Sequence, residues 1–380
     1  MHNLPPIIQA TERQGRVQHL RQAMAANGTD AVIVTPGSNM RYFFGLGWGE
    51  TERFVAALVT SASTIFVCPK FEDTALLGHL TGDYEYAYWE EDEDPYGLAA
   101  SILRDTGIQT CALDPNCSFG QANELGRAIA PIPLQSTAAL ITPLRAQKSP
   151  QELALMQAAK TLTLSVHKQV FEWLKPGIKA SEVKQKINQL HQEGGADNGN
   201  TFCAVQFGEA TAHPHGVPGD QVLQSDDLIL IDTGCQVDGY NSDITRTYAL
   251  SKQDSAVERL WALEKEAQAV AFDAAQLGKP CESVDTAARE ALQAQGLGPD
   301  YKLPGLPHRT GHGIGLDIHE APYLVRGDGT ALAPGMCFSN EPMIVVPDAF
   351  GIRLEDHFYM TDQGPRWFTE PQNSLYEPFL

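Results

Sequence analysis

The sequence predicts two domains in tandem, an α/β domain over residues 1–147 and an α+β domain over residues 148–380. Three observations predict this. Compact apolar runs alternate with amphipathic stretches as far as residue 145. A strong helix-start signal at 149–152 ends that pattern. Beyond residue 200, strand-like segments and long helices come in separate groups. A chain of 380 residues is also too long for one ordinary domain and about right for two.

In the first domain the runs 31–34, 55–59 and 64–67 are short, apolar and rich in β-branched residues, as buried strands are. Arg16 to Ala26, Pro95 to Arg104 and Phe119 to Ala130 have helical spacing. This domain holds no glycine-rich phosphate loop and no catalytic cluster. At the boundary, Ser149-Pro150-Gln151-Glu152 combines an N-cap serine, proline at the first helical position and a capping-box glutamate. Helices follow to Leu174 and over Ser181 to Glu193, then strands at 202–207, 228–232 and 242–250. Helical stretches cover 255–277 and 283–294, and strand-like runs over 336–346 and 352–360 close the chain.

Composition narrows the function. Hydrophobic residues make up 43% and charged residues 19%, which fits a globular core rather than disorder. No apolar run approaches the ~20 residues of a membrane span, and the first residues lack a signal-peptide layout, so a cytoplasmic protein is expected. A formal charge of −20 repels nucleic acid and anionic lipid, which excludes both as expected partners. Seven scattered cysteines without a Cys-x-x-Cys pair read as reduced thiols, with Cys235 and Cys337 as small apolar fillers. Six of the eleven histidines lie beyond residue 212, so the chemistry is expected in the second domain.

Two carboxylates come together on one hairpin. Leu228 to Asp232 is an apolar strand, and Asp238-Gly239 marks a two-residue turn. Pairing Val237 with Tyr240 puts Asp232 opposite Thr245. Asp243 then lies diagonal to Asp232 on the same face, with backbones about 7–8 Å apart. Two such carboxylates repel unless one is protonated, both are solvated, or a divalent cation sits between them.

The stretch from His308 to Glu320 contains His308, His312 and His319, punctuated by glycines that let backbone approach closely and aim side chains. His312, with glycine on both sides, is the candidate metal ligand of the three. Glu341 and Glu355 each stand inside apolar strand-like sequence, where a lone ionised carboxylate is very costly. An ion pair would satisfy one of them; several carboxylates converging with one imidazole fit a binuclear divalent centre better.

Asp-x-Gly at 232–234, Asp243 within Asn-Ser-Asp-Ile-Thr-Arg-Thr, the 308–320 block, Asn-Glu-Pro at 340–342 and Arg-x-Glu at 353–355 occur in one order. Together they resemble the pita-bread metallopeptidases, which include proline-specific aminopeptidases, Xaa-Pro dipeptidases (prolidases) and methionine aminopeptidases. The resemblance covers about residues 150–365. A weaker likeness, at Asn39-Met40-Arg41-Tyr42 and Phe44-Gly45, joins the first domain to the family's creatinase-like N-terminal domain.

The resemblance implies a pita-bread catalytic domain holding two divalent ions, manganese first, with cobalt, iron or zinc as alternatives. Asp232 would bind one ion, His312 with Glu341 the other, and Asp243 with Glu355 would bridge them. A bridging water would be the nucleophile, and Glu341 would accept its proton. His215 (in His-Pro-His-Gly), His308 and His319 would orient substrate, stabilise the oxyanion and help protonate the leaving nitrogen. Arg353 would fix the groups around the bridging glutamate, while His213 reads as a loop residue. Hydrolysis of Xaa-Pro dipeptides by a homodimer is the implied activity. A longer-peptide Xaa-Pro aminopeptidase, a hydrolase of a non-peptide substrate and a non-catalytic binding module stand as alternatives. The N-terminal domain, which the methionine branch usually lacks, and the histidine set argue against that branch, and the full ligand set against a creatinase. A dipeptidase needs a cation for the substrate's free carboxylate; Arg326 is the candidate and Arg309 the alternative.

Overall fold

A computed structural model describes residues 4–379 except 79, 81, 83 and 215. His215, expected to contact substrate, therefore lies outside the described residues. Ile8–Arg145 forms one unit, and the chain from Ala146 onward, joined by residues 4–7, forms the other.

The first unit is built on a sheet whose central strands are almost wholly buried, as covering of both faces requires, while its two edge strands are partly exposed. Its strands are β1 (Ala31–Val34), β2 (Ala56–Thr60), β3 (Thr64–Pro69), β4 (Glu85–Trp89), β5 (Cys111–Leu113) and β6 (Leu134–Ser136), in sheet order β4-β3-β2-β1-β5-β6. β1 pairs antiparallel with β2 and parallel with β5, so the sheet is mixed. Helices α1 (Ala10–Asn27), α2 (Ser38–Phe44), α3 (Asp73–Leu77), α4 (Pro95–Asp105), α5 (Phe119–Ile129) and α6 (Ala138–Ala146) fall between or flank the strands. Leu103 of α4 with Leu125 and Ile129 of α5 closes a core on Ile33, Leu58 and Val67.

In the second unit the capping box forms as its residue types dictate. Ser149 Oγ accepts from the Glu152 amide at 3.2 Å, and Glu152 Oε2 accepts from the Ser149 amide at 2.8 Å. It opens helix α7 (Pro150–Trp173), which is followed by α8 (Ala180–Gly194). Both lie against a sheet of order β10-β8-β7, made by β7 (Asn200–Phe207), β8 (Leu228–Val237) and β10 (Ile244–Ala249). The short strand β9 (Tyr240–Asn241) pairs with the end of β8. Helices α9 (Ser255–Ala274) and α10 (Glu282–Ala294) come next. After them, β11 (Gly311–Gly313), β12 (Glu320–Leu324), β13 (Cys337–Asn340), β16 (Asp356–Thr361) and β17 (Gly364–Trp367) form a sheet of order β12-β11-β13-β16-β17. Leu324, Phe338, Phe358 and Met360 on one face of it pack against Ala271, Val284 and Ala288 of the two helices.

The strand-like runs 336–346 and 352–360 are not continuous. Each is broken once, and β14 (Met343–Val346) and β15 (Phe350–Arg353) form a separate two-stranded ladder. The register is nevertheless unbroken. Asn340 faces Asp356 on one side of the gap and Met343 faces Arg353 on the other. Carried through the gap, that register sets Glu341 opposite Glu355.

Lys160 of α7 is fully buried, donates from Nζ to the Asn241 carbonyl at 3.0 Å, and forms no ion pair among the described residues. Burial lowers its pKa from 10.5 to about 8. Between those values the unfolded chain binds the extra proton, so this group makes stability rise with pH across that window. Below about pH 8 the cost of burying the charge persists in full. Lys160→Met should flatten the rise, as read from urea midpoints of the two proteins from pH 7 to 10.5; parallel trends would contradict this account.

Candidate metal centre

Three segments converge on one point, and local chemistry explains each. The first is the hairpin β8–β9. Asp238 and Gly239 take positive φ (46° and 77°), the two-residue turn expected from Asp-Gly. Asp197 clamps its tip by accepting from both turn amides, at 3.0 and 2.7 Å. Val237 pairs with Tyr240 and Asp232 with Thr245, the register inferred from the turn. Asp243 occupies the gap between β9 and β10, across from Gly234. A Cβ at Gly234 would run into the Ser242 carbonyl, so this close crossing of strands needs glycine. Ser242 is held from below: its hydroxyl accepts from the Cys235 amide at 2.9 Å and lies 2.7 Å from Thr163 Oγ1.

The second segment is the broken ladder. Pro342 has no N–H to continue it. At the gap the amide of Glu341 turns to the Thr310 carbonyl (2.8 Å) and that of Glu355 to the Thr245 carbonyl (3.1 Å). The break therefore ties the glutamates to the histidine segment and to the hairpin. Gln268 of α9 braces it from behind, sharing its side-chain amide between the carbonyls of Asn340 (3.3 Å) and Leu354 (3.1 Å). These residues immediately precede the two glutamates.

The third is β11. Cβ atoms at Gly311 and Gly313 would strike the carbonyls of Ser339 and Glu320, so both glycines allow neighbouring strands to close around His312. His312 faces Tyr323 on β12, its amide donates to Ser339 Oγ at 2.9 Å, and Ser339 faces His357 on β16. Tyr323, His312, Ser339 and His357 thus form a cross-strand row on the face opposite the helices. The Lys148–Glu320 ion pair, buried and 2.6 Å long, anchors the loop that carries His319.

The structure brings Asp232, Asp243, His312, Glu341 and Glu355 together. Donor atoms lie within 4.8 Å of one another in the sets Asp232–Asp243–Glu355, His312–Glu341–Glu355 and Asp243–His312–His319. His312 Nε2 is 3.1 Å from Glu341 Oε1 and 3.9 Å from Asp243 Oδ2. Its Nδ1 lies 3.0 Å from the Gly313 carbonyl, to which it can only donate, so Nε2 is the nitrogen that faces the carboxylates.

The electrostatics call for a cation. Burial, and then the charges of neighbouring carboxylates, push Asp243 and Glu355 well above the usual carboxylate range. Asp232 is also raised by burial, against the pull of Arg353. Glu341 alone is lowered: burial works to raise it, but the neighbouring His312, His308 and Arg353 outweigh burial. Buried Oδ1 of Asp232, Oδ1 of Asp243 and Oε1 of Glu355 receive no hydrogen bond from a described residue. Oxygen atoms of this kind converging with one imidazole fit a divalent ion.

Arg353 donates from Nε to Thr245 Oγ1 (3.0 Å) and from Nη2 to Asp232 Oδ2 (2.5 Å). Thr245 in turn donates to Glu355 Oε2 at 2.7 Å. Arg353 therefore orients Asp232 directly and Glu355 through Thr245. His308 lies close enough to Glu341 and Arg353 to feel both charges; burial lowers its pKa first. His319 is exposed beside His312, with ring centres 4.1 Å apart. His213 is exposed at the end of a 3₁₀ turn.

The guanidinium of Arg326 pairs with Asp300 at 2.6 Å, and both side chains are more than half exposed (60% and 57%). Sequence reasoning missed Gln268, Ser339, Lys148 and His357. Gln268 and its neighbour Glu264 lie on the buried stripe of α9 with Val257, Leu260, Trp261 and Ala271. Polar residues at apolar-stripe positions were the available signal for both.

Residues 154–362 match metallopeptidase family M24, and residues 16–147 match the creatinase/prolidase N-terminal domain. The Xaa-Pro dipeptidase of Lactobacillus helveticus is 30% identical over 377 residues, covering 94% of this chain and 97% of that protein. A dipeptidase from Pyrococcus horikoshii OT3 superposes with a TM-score of 0.86 at 30% identity, covering 95% of this chain and 99% of that one. A prolidase from Thermococcus sibiricus superposes at 0.87 with 27% identity, covering 96% and 98%.

Gln268→Met preserves bulk and removes the donors behind both glutamates. Leaving buried carbonyls unpaired should cost about 1–3 kcal/mol each in urea denaturation. Divalent-metal affinity by calorimetry should fall in parallel. An unchanged midpoint with unchanged metal binding would show that the break does not depend on Gln268.

Proposed function

The chain belongs to metallopeptidase family M24, and from that membership we propose that it hydrolyses Xaa-Pro dipeptides at a centre of two divalent cations. Asp232, Asp243, His312, Glu341 and Glu355 would hold the pair, with Asp243 and Glu355 between the two ions. The observation that carries this reading is the convergence of four carboxylates and one imidazole around buried oxygens that no described donor reaches. The restriction to dipeptides follows the likeness to the Xaa-Pro dipeptidase of L. helveticus, which this chain matches over nearly its full length.

Cations in such a centre polarise a carbonyl and acidify water. The chain's own residues do the rest. Glu341, held ionised, accepts the proton released by the attacking water. His308 and His319 stand on either side of His312 along the chain and supply donors for the tetrahedral oxyanion and the leaving proline nitrogen; His215 would share that work. Arg353 keeps Asp232 and, through Thr245, Glu355 in place. An Xaa-Pro bond is a tertiary amide with a rigid ring, so precise positioning counts for more than recognition of a backbone N–H it lacks. Oxygen-rich ligation with one imidazole suits manganese first, then cobalt, iron or zinc. A cytoplasmic homodimer is the form this reading expects.

The decisive measurement compares an Xaa-Pro dipeptide with an Xaa-Pro-Yaa tripeptide after chelation and again with manganese restored. Metal-dependent cleavage of the dipeptide alone supports the proposal, and cleavage of the tripeptide makes the enzyme an aminopeptidase. Asp243→Ala and Glu355→Ala should each reduce activity far beyond the roughly 10–100-fold typical of losing an outer-shell partner. Their circular dichroism should stay native. Substantial activity in either variant would rule out the bridged pair.

A further inference from the structure

Asn241 is buried, and each of its hydrogen-bonding groups, main-chain and side-chain, has a partner. Its amide N–H and its Nδ2 both donate to the Gly315 carbonyl, at 2.9 and 3.0 Å, and Nδ2 also donates to the Leu316 carbonyl at 3.0 Å. Oδ1 accepts from Gln236 Nε2 at 3.2 Å, and the main-chain carbonyl accepts from the buried ammonium of Lys160 at 3.0 Å. The pattern needs an amide, because a carboxylate would turn an acceptor toward two carbonyls. The pairing of β8 with β9 requires none of the contacts to residues 315 and 316.

The two segments joined in this way carry different parts of the centre. Asn241 stands two residues before Asp243, while Gly315 and Leu316 lie in the loop that leads from β11 to His319 and β12. Donor atoms of Asp243, His312 and His319 lie within 4.8 Å of one another, so the setting of this loop against the hairpin decides where the His319 imidazole stands. One end of the loop is fixed by the Ile314 amide, which donates to the Cys337 carbonyl at 3.3 Å, and the other by the Lys148–Glu320 pair. Asn241 fixes the middle. Asp243 depends on Asn241 less, because Ser242 is held separately: its amide donates to the Cys235 carbonyl at 2.9 Å and its hydroxyl lies 2.7 Å from Thr163 Oγ1.

We propose that Asn241 is a positioning residue for His319: acting through Gly315 and Leu316, it sets that imidazole beside the metal centre and governs the rate of bond cleavage rather than metal loading. This rests on the reading of His319 as a donor to the oxyanion or the leaving nitrogen. An exposed histidine on a loop needs such a brace, since a displacement of about 1 Å at a reacting group can cost about 100-fold in rate.

The test is a double-mutant cycle on the manganese-loaded full-length enzyme with Ala-Pro as substrate. Asn241→Leu is similar in size and removes the three side-chain hydrogen bonds. It should lower kcat about 10–100-fold, with KM and the manganese stoichiometry measured by calorimetry close to those of the unmutated enzyme. His319→Ala alone should lower kcat about 100–1,000-fold. With His319 already replaced, adding Asn241→Leu should change kcat by about twofold or less, because both substitutions act through one group. Losses that multiply would overturn the proposal, and so would a lower manganese stoichiometry in Asn241→Leu, which would place its effect at Asp243. Asn241→Ser, too short to reach both carbonyls, carries the same cycle if the leucine variant does not fold. Full activity in His319→Ala would remove the role read for His319 and this proposal with it, leaving the dipeptidase reading intact. If the unmutated enzyme cleaves no Xaa-Pro dipeptide, the dipeptidase reading itself falls, and this one falls with it.

Discussion

Four carboxylates cannot stand within a few ångströms of one another inside a protein unless positive charge stands among them. Asp232, Asp243, Glu341 and Glu355 meet this constraint with one guanidinium, Arg353, as the protein cation in immediate contact, and with the imidazole of His312 beside Glu341. Burial and mutual repulsion still drive Asp243 and Glu355 well above their ordinary range, so these two protein groups leave the cluster under-neutralised. Much of the surrounding architecture acts to keep these side chains in place despite that repulsion.

It does so with two antiparallel ladders that are interrupted without losing register. In the first, the gap between β9 and β10 releases Asp243 opposite a glycine; in the second, the gap at Pro342 releases Glu341 and Glu355 opposite each other. Backbone amides freed at the second gap are taken up by Thr310 and Thr245. An orphaned buried amide would cost about 1–3 kcal/mol, so each reassigned bond also fixes where its carboxylate stands. Thr245 couples the ladders once more, because its hydroxyl receives from Arg353 and donates to Glu355.

The hairpin was legible because strand geometry has a period of two and Asp-Gly specifies the turn; once Val237 faces Tyr240, the neighbourhood of Asp232 and Asp243 follows by counting. The ligand candidates were legible because a carboxylate inside apolar sequence requires a partner. The breaks at Glu341 and Glu355 were harder to read, since both runs are apolar enough to pass for continuous strands. Pro342 was the local sign, but a sequence does not say whether a proline ends a strand or sits at its edge. The surface pairing of Arg326 with Asp300 was not legible, because a single charged residue in a loop has no periodicity to report its partner. Gln268 sits on the apolar face of α9, yet which carbonyls it reaches is decided by β13 and β15, far along the chain.

The outlying buried groups complete the electrostatic argument. Burial pushes Glu264, behind Arg353, well above its ordinary range, and lowers His357, beneath Glu355, well below its own. His357 is therefore neutral near pH 7, as are His191 at about 4 and His167 at about 3, and Glu264 is biased toward its neutral form. Lys160, at about 8, is the nearby exception and stays tied to the Asn241 carbonyl. The volume around the centre is thus polar in composition but sparsely charged. Charges at the centre then act on one another through a medium that screens them far less than water does. A cation held among the four carboxylates would relieve their repulsion at full strength, and the fixed charges of the surrounding residues would act on a substrate without having to reorganise.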